Sequence, residues 1–279
     1  MKRYYILGLL FVFALAVDGQ DRKLVVLCTN DTHSTIYPMN PNLGDTAEAD
    51  RGGFLRRLAM LKQERKAHPD LLLFDSGDFS QGSPYYNLFQ GDVEVELMNR
   101  MGYDACTIGN HEFDFGLENM ARIFKKMKFP VVCSNYDVRG TVLEGLVKDY
   151  VILRRNGLKI GVFGISPVLD GLVPADKYGG VKYLDAVEEA NRVVSVLKAK
   201  KCDVVICISH IGWEDMGSVD DKRLVANTKG IDLVLGGHSH SCFKELRYLE
   251  NAEGKTVAVD QNGKHALFVG KIVLDFKKR

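Results

Sequence analysis

Short stretches rich in Asp, Asn, Gly and Ser follow directly on apolar runs in this chain, and they hold five of its seven histidines. They read Asp31-Thr32-His33, Gly109-Asn110-His111-Glu112, Ser209-His210 and His238-Ser239-His240, with Ser76-Gly77-Asp78 adding a carboxylate in the same setting. One strand can deliver only one or two ligands to a common point. A chain built this way must therefore bring the carboxyl ends of several strands together, and the side chains gathered there suit a metal centre.

The hydrophobic pattern says how that convergence is reached. Lys23 to Thr29 reads as a strand, Phe54 to Lys66 as a helix with apolar positions Phe54, Leu55, Leu58 and Leu61, and Leu71 to Phe74 as a second strand. Val93 to Met101 is helical, Ala105 to Ile108 a third strand, Leu117 to Met127 a further helix, and Phe129 to Cys133 a fourth strand. Strand and helix alternating in this way predict a parallel sheet with the polar stretches at its carboxyl edge. Asn156-Gly157 between Tyr150–Leu153 and Lys159–Gly164 is a hairpin signal, so an antiparallel element enters in the second half. A helix from about Leu184 to Lys200, strands at Val204–Ile208 and Leu233–Leu235, a short helix near Leu224 and terminal strands near Thr256–Val259 and Ala266–Phe276 complete the reading. Two mixed sheets packed between helices fit this order better than one open sheet.

The N-terminus has the make-up of a secretory signal, with basic Lys2 and Arg3, an apolar run from Tyr4 to Val17 and the small-residue pattern Ala14-Leu15-Ala16. About 14 apolar residues fall short of the roughly 20 that span a bilayer, so residues 1–19 are expected to be a cleaved signal peptide and 20–279 one catalytic-sized domain, exported to the periplasm or the exterior. Cleavage after Ala16 would remove Lys2 and Arg3 and leave 35 basic against 36 acidic residues. That balance gives no electrostatic case for nucleic acid or a membrane surface as partner. Cys28, Cys106, Cys133 and Cys207 lie in apolar strand-like runs, where a thiol behaves as a small hydrophobe. Buried free thiols are expected, and Cys242 is a poor candidate ligand beside so many oxygen donors.

Taken one at a time, Asp31-x-His33, Asp78 and His210 are weak signals, because loop hydrogen bonding explains each. Asp75 is read as a turn carboxylate, and His68 and His265 receive no role. Gly109-Asn110-His111-Glu112-Phe113-Asp114 is more specific: Asn110 suits a hard cation, His111 would stand beside the metal facing substrate, and Asp114 can fix the tautomer of that imidazole. In Gly236-Gly237-His238-Ser239-His240 the glycines are expected to permit an unusual turn, and the alternate histidines to contact two neighbouring ions.

The order D-x-H, G-D, G-N-H-E, S-H, G-H-x-H resembles the calcineurin-like metallophosphoesterases. Thr29 to Ser34, Asp75-Ser76-Gly77-Asp78 through Gln81-Gly82-Ser83-Pro84, and Tyr103 through Asp114 resemble the 5′-nucleotidase branch in particular. The likeness runs from Leu24 to about Phe276 and corresponds to that family's catalytic domain. It implies a four-layer α/β/β/α sandwich. It also implies one divalent ion on Asp31, His33 and His240, another on Asn110, His210 and His238, with Asp78 bridging, and His111 with Asp114 as the catalytic dyad. Manganese or zinc would fill the site, with cobalt, iron(II) or magnesium as alternatives, and a hydroxide shared by the ions would attack a phosphate monoester in line. A phosphodiesterase, a nucleotide-sugar hydrolase and a non-catalytic binding subunit are the competing readings. Cys28 departs from the family pattern, which often has histidine or an acidic residue there. The family's second domain, which stacks the nucleoside base, has no counterpart in the sequence, so a separate substrate-binding partner is a further expectation. Loop aromatics Tyr85, Tyr86 and Phe89 are the alternative source of a small substrate pocket.

Overall fold

The computed structural model describes residues 22–214 and 217–276, so the expected signal peptide and the basic end Lys277-Lys278-Arg279 lie outside the described residues. In chain order the strands and α-helices are β1 (Arg22–Thr29), α1 (Phe54–Ala67), β2 (Leu72–Asp75), α2 (Pro84–Phe89), α3 (Asp92–Met101), β3 (Ala105–Cys106), α4 (Gly116–Phe124), β4 (Val131–Val132), β5 (Tyr136–Asp137) and β6 (Val147–Lys148). There follow β7 (Tyr150–Arg155), β8 (Leu158–Ile165), β9 (Lys182–Tyr183), α5 (Ala186–Ala199), β10 (Val204–Ser209), α6 (Asp221–Ala226), β11 (Leu233–Leu235), β12 (Arg247–Glu250), β13 (Thr256–Asp260) and β14 (Gly270–Phe276).

These strands form two mixed six-stranded sheets, ordered β14-β1-β2-β3-β4-β6 and β12-β13-β11-β10-β8-β7, with β5 and β9 paired separately. In the first sheet only β14 runs antiparallel, against β1, and in the second the antiparallel strands are the edges β7 and β12. The four-layer α/β/β/α sandwich follows from period-two alternation on strands apolar on both faces. Along β1, Leu24, Val26 and Cys28 point into the seam between the sheets, while Val25 and Leu27 point at the helical layer with Phe54, Leu61, Met98 and Met120. Along β10, Val204, Ile206 and Ile208 enter the same seam, and Val205 and Cys207 pack under α5 and α6 with Val193, Leu197 and Leu224.

Most expected elements are present with ends moved by one or two residues. The Asn156-Gly157 hairpin joins β7 to β8 with both turn residues left-handed (φ 48° and 71°), the geometry that a two-residue turn between right-twisted strands needs. Several expectations are corrected. The third strand ends at Cys106; Thr107 still donates its N–H to the carbonyl of Asp75 at 3.0 Å, and the Gly109–Asp114 turn follows. The last strand starts at Gly270 and not at Ala266, since His265 and Ala266 are left-handed (φ 59° and 56°) and break the extended run. On α1, Leu55 faces solvent, and Arg57 is buried and donates to Thr32 Oγ1 at 2.9 Å. Helix α2, the β5–β9 pair and strand β12 are too short or too polar to show a period and were not expected. Among the described residues every cysteine is a free thiol, buried except for Cys242, and no helix is long and apolar enough to cross a membrane.

The sheets approach closely at Gly164 of β8, where a methyl group would overlap the carbonyl oxygen of Val132 and the hydroxyl of Thr107. Both neighbours belong to the first sheet and cannot retreat. Gly164→Ala is expected to destabilise the fold by about 1–3 kcal/mol, the usual cost of overpacking, read as a lower urea midpoint at unchanged slope.

Candidate metal centre

Each ligand-type stretch sits where its strand ends: Asp31 and His33 after β1, Asp78 after β2, Asn110 and His111 after β3, His210 after β10, and His238 and His240 after β11. The sheets are tied together there by two bonds through one residue. Ser76 Oγ donates to the carbonyl of Leu235 at 2.8 Å, and His210 Nδ1 donates to the carbonyl of Ser76 at 2.6 Å. Gly77 and Gly237 make this possible, since a Cβ on either would stand 3.0 Å or less from His210 Nδ1. The glycines of Gly236-Gly237 thus act through missing bulk. The left-handed turn expected of them is adopted by His238 and His240 instead (φ 72° and 55°).

Asp31, His33 and Asp78 are left-handed as well (φ 46°, 45° and 55°). Non-glycine residues held there cost of order 1–3 kcal/mol each and persist where the surroundings over-determine them. The restraints are visible. Asp31 N donates to Gly77 O and His33 N to Asp78 O, both at 3.0 Å. Asp31 Oδ2 accepts from His238 N at 2.9 Å and from Asn30 Nδ2 at 2.7 Å. Glu112, fully buried, accepts from Gly109 N at 2.6 Å, Asp78 N at 3.0 Å and Ser80 N at 3.2 Å, so one carboxylate clamps the loops after β2 and β3 together.

Donor atoms converge in two groups that a third one links through His33 and Asp78. One ligand atom each from Asp31, His33 and His240 lie within 4.8 Å of one another, and the same holds for Asp78, His210 and His238. A third such group, His33, Asp78 and His111, joins them across Asp78. Two contacts show what the cluster lacks. With its Nδ1 proton given to Ser76, neutral His210 turns a lone pair at Nε2 toward Asp78 Oδ2, 3.1 Å away, and that nitrogen has no aligned hydrogen-bond partner. His33 Nε2 and His240 Nε2 face each other at 3.0 Å, with Asp31 Oδ1 3.4 Å from the latter. Acceptors aimed at acceptors repel unless a proton or a cation lies among them. Buried Asn110 Oδ1 is a further acceptor without a donor. The residues therefore fit divalent cations.

The field of the carboxylates is written in the proton affinities. Burial opposes charging His210, yet Asp78 and Asp31 push its pKa up to about 10; burial likewise opposes ionising Asp78, and His210 outweighs it, holding that carboxyl well below the usual range. His238 is lowered to about 4, by burial first and then by His210. His111 is half-buried, and its Nδ1 lies 3.2 Å from Asp114 Oδ1. Burial would lower its pKa, but the bond to Asp114 and the charge of Asp78 raise it.

All nine sequence-designated residues thus lie at one sheet edge. Three contributors were missed. Glu112 was within the motif without a role. His265, set aside as isolated, has its ring centroid 5.9 Å from that of His33. Asp221 at the start of α6 lies beneath the site, accepting from Ser209 Oγ at 2.5 Å. Asp75 is the turn carboxylate expected, accepting from Gly77 N at 3.0 Å, and is also a buried acceptor for Thr29 Oγ1 at 2.6 Å. Of the loop aromatics, Tyr86 is core, Tyr85 packs against exposed Tyr37, and Phe89 is exposed.

Residues 24–242 match the family model described as calcineurin-like phosphoesterase, and the chain belongs to that family. Within it, the chain is similar to a snake venom 5′-nucleotidase of Gloydius brevicauda, 31% identical over 83% of this chain and 39% of that protein. It is also similar to the 2′,3′-cyclic-nucleotide 2′-phosphodiesterase/3′-nucleotidase of Haemophilus influenzae, 32% identical over 86% of this chain and 40% of that protein. Among solved structures, a 5′-nucleotidase precursor from Thermus thermophilus superposes with a TM-score of 0.83 at 30% identity, over 92% of this chain and 52% of that one. The chain spans about two-fifths of the length of these curated relatives.

Burial pushes the Asp221 carboxyl from its ordinary 3.8 to about 7. Between those values the native state keeps a proton that the unfolded chain has released, so this group makes stability fall as pH rises from about 4 to about 7. Asp221→Asn is expected to flatten that slope and to leave the variant more stable than wild type above about pH 7, by of order a few kcal/mol. Urea unfolding of chelator-treated protein across that range measures it.

Proposed function

We propose that this chain is an exported dinuclear-metal phosphatase that hydrolyses phosphate monoesters, with 5′-nucleotides as its substrate class. The observation that carries this reading is the position of Asp78, which converges with His210 and His238 in one donor group and with His33, itself grouped with Asp31 and His240, in another. Asp31, His33 and His240 would hold one cation and Asn110, His210 and His238 the other, with Asp78 shared. Bound there, two divalent ions supply Lewis-acid charge for phosphate oxygens and lower the pKa of water near neutrality. A mixed nitrogen and oxygen donor set without thiolate suits manganese or zinc.

The protein's own groups do the rest. The strained strand ends fix the donors before substrate arrives, which is the form of positioning and electrostatic preorganisation that phosphoryl transfer relies on. His111, whose proton affinity Asp114 and Asp78 raise against the effect of burial, would when protonated stabilise charge on the phosphoryl oxygens or give its proton to the departing alcohol oxygen. The nucleotide class rests on the named activities of the relatives. The cyclic-nucleotide phosphodiesterase activity named for the Haemophilus relative favours a second reading, a phosphodiesterase on the same site. The reading includes nucleoside contacts from a separate substrate-binding partner.

An activity screen over nucleoside monophosphates, cyclic nucleotides, nucleotide sugars and 4-nitrophenyl phosphate, with each metal added in turn, tests the proposal. Monoesters are expected to lead. His111→Ala should lower kcat by about 10²–10⁴ with metal content unchanged by elemental analysis; loss of metal would instead make His111 a ligand. If a partner supplies the nucleoside contacts, the isolated chain turns over 4-nitrophenyl phosphate and binds AMP weakly, whereas tight AMP binding places those contacts in the chain itself.

A further inference from the structure

His265 stands beside the donor cluster without belonging to it. Its ring centroid is 5.9 Å from His33, its side chain is half-buried, and it contributes to none of the groups whose ligand atoms converge. Burial lowers its pKa to about 4, with His33, Lys264 and His240 adding to the effect. His111 also packs against His33, at 5.4 Å, with Asp114 as its own partner.

The loop that presents His265 is held tightly. His265 and Ala266 are consecutive non-glycine residues in the left-handed region, and the backbone N–H of His265 donates to the carbonyl of Asp31 at 2.9 Å. Gly52 packs against their carbonyls so closely that a Cβ there would lie 2.8 Å from His265 O and 3.1 Å from Ala266 O. A strained conformation kept by several restraints points to use, as with the cluster residues themselves.

Hydrogen bonding then sets what the ring can offer. Thr35 Oγ1 donates to the carbonyl of His33 at 3.3 Å, which commits its one proton. The same oxygen lies 3.4 Å from His265 Nδ1 and can only accept from it. Neutral His265 is thereby the Nδ1–H tautomer. Among the described residues nothing pairs with Nε2, which keeps its lone pair free on a ring whose centroid is 5.9 Å from that of His33. A lone pair binds a donor. It repels a phosphate oxygen and suits a hydroxyl on the alcohol half of the ester.

We propose that His265 is a specificity residue, its Nε2 accepting a hydrogen bond from a sugar hydroxyl of the substrate's leaving group and so favouring sugar-bearing phosphate esters over aryl phosphates. This rests on the phosphatase reading above. The test compares kcat/KM for AMP, 2′,3′-dideoxy-AMP and 4-nitrophenyl phosphate in metal-loaded wild type, His265→Ala and His265→Gln. One neutral hydrogen bond corresponds to about 3- to 10-fold. The ratio of AMP to 4-nitrophenyl phosphate is expected to fall by that factor in His265→Ala and to recover in His265→Gln, whose amide oxygen is again an acceptor. Removing the hydroxyls from the substrate should cost wild type the same factor and His265→Ala nothing, the signature of a direct pair. Saturation-transfer NMR from protein to the ribose protons of adenosine, weaker in His265→Ala, gives a readout independent of turnover. An unchanged ratio, a dideoxy penalty that persists in His265→Ala, or loss of metal from the variant overturns the assignment. Wild type that hydrolyses no phosphate ester overturns the phosphatase reading instead.

Discussion

The Asp78 carboxylate and the His210 imidazole are pressed together across the junction of the two sheets, and the architecture around them exists to keep them there. Ser76, two residues before Asp78, carries both cross-sheet bonds, one to the chain after β11 and one to His210 itself. Because the second bond uses the Nδ1 proton, the imidazole must turn its other nitrogen to the carboxylate. A positive charge there, either the proton that Asp78 and Asp31 favour on His210 or a cation in its place, relieves the crowding. Glu112 prevents the obvious escape, which is movement of the β2 loop away from the β3 loop.

The four-layer arrangement explains why such crowding is tolerated. Strands β1 and β10 are apolar on both faces, and their inward side chains share a seam that locks the sheets in register. With the strand bodies immobile, strain at their carboxyl ends cannot relax by shifting a strand. Gly77, Gly164 and Gly237 let backbone approach backbone where any side chain would separate the layers. The site is thus a property of the sheet junction more than of any one loop.

Much of this was legible in the sequence because the two periodicities are strong where they matter. Doubly apolar strands such as Leu24–Cys28 and Val204–Ile208 announce burial on both faces, and the polar residues following them announce the functional edge. What stayed hidden has physical reasons. The β5–β9 pair has two residues per strand, too few for a period. Arg57 looked like part of a solvent face because a helical pattern cannot show that an arginine folds inward to Thr32. His265 lay in a polar stretch, and only the left-handed backbone at 265 and 266, invisible in the amino-acid order, turns it toward His33. The left-handed histidines 238 and 240 were ascribed to the wrong residues for a related reason, since glycine suggests conformational freedom when its service here is to occupy no room.

The left-handed backbone at Asp31, His33, Asp78, His238 and His240 is secured by peptide hydrogen bonds and buried side chains that involve no ion. Chelation would therefore empty a mould that keeps its shape, unlike small zinc modules that collapse when stripped. A molecule of this kind would accept one divalent ion in place of another without refolding, and its occupancy in any surroundings would follow local supply.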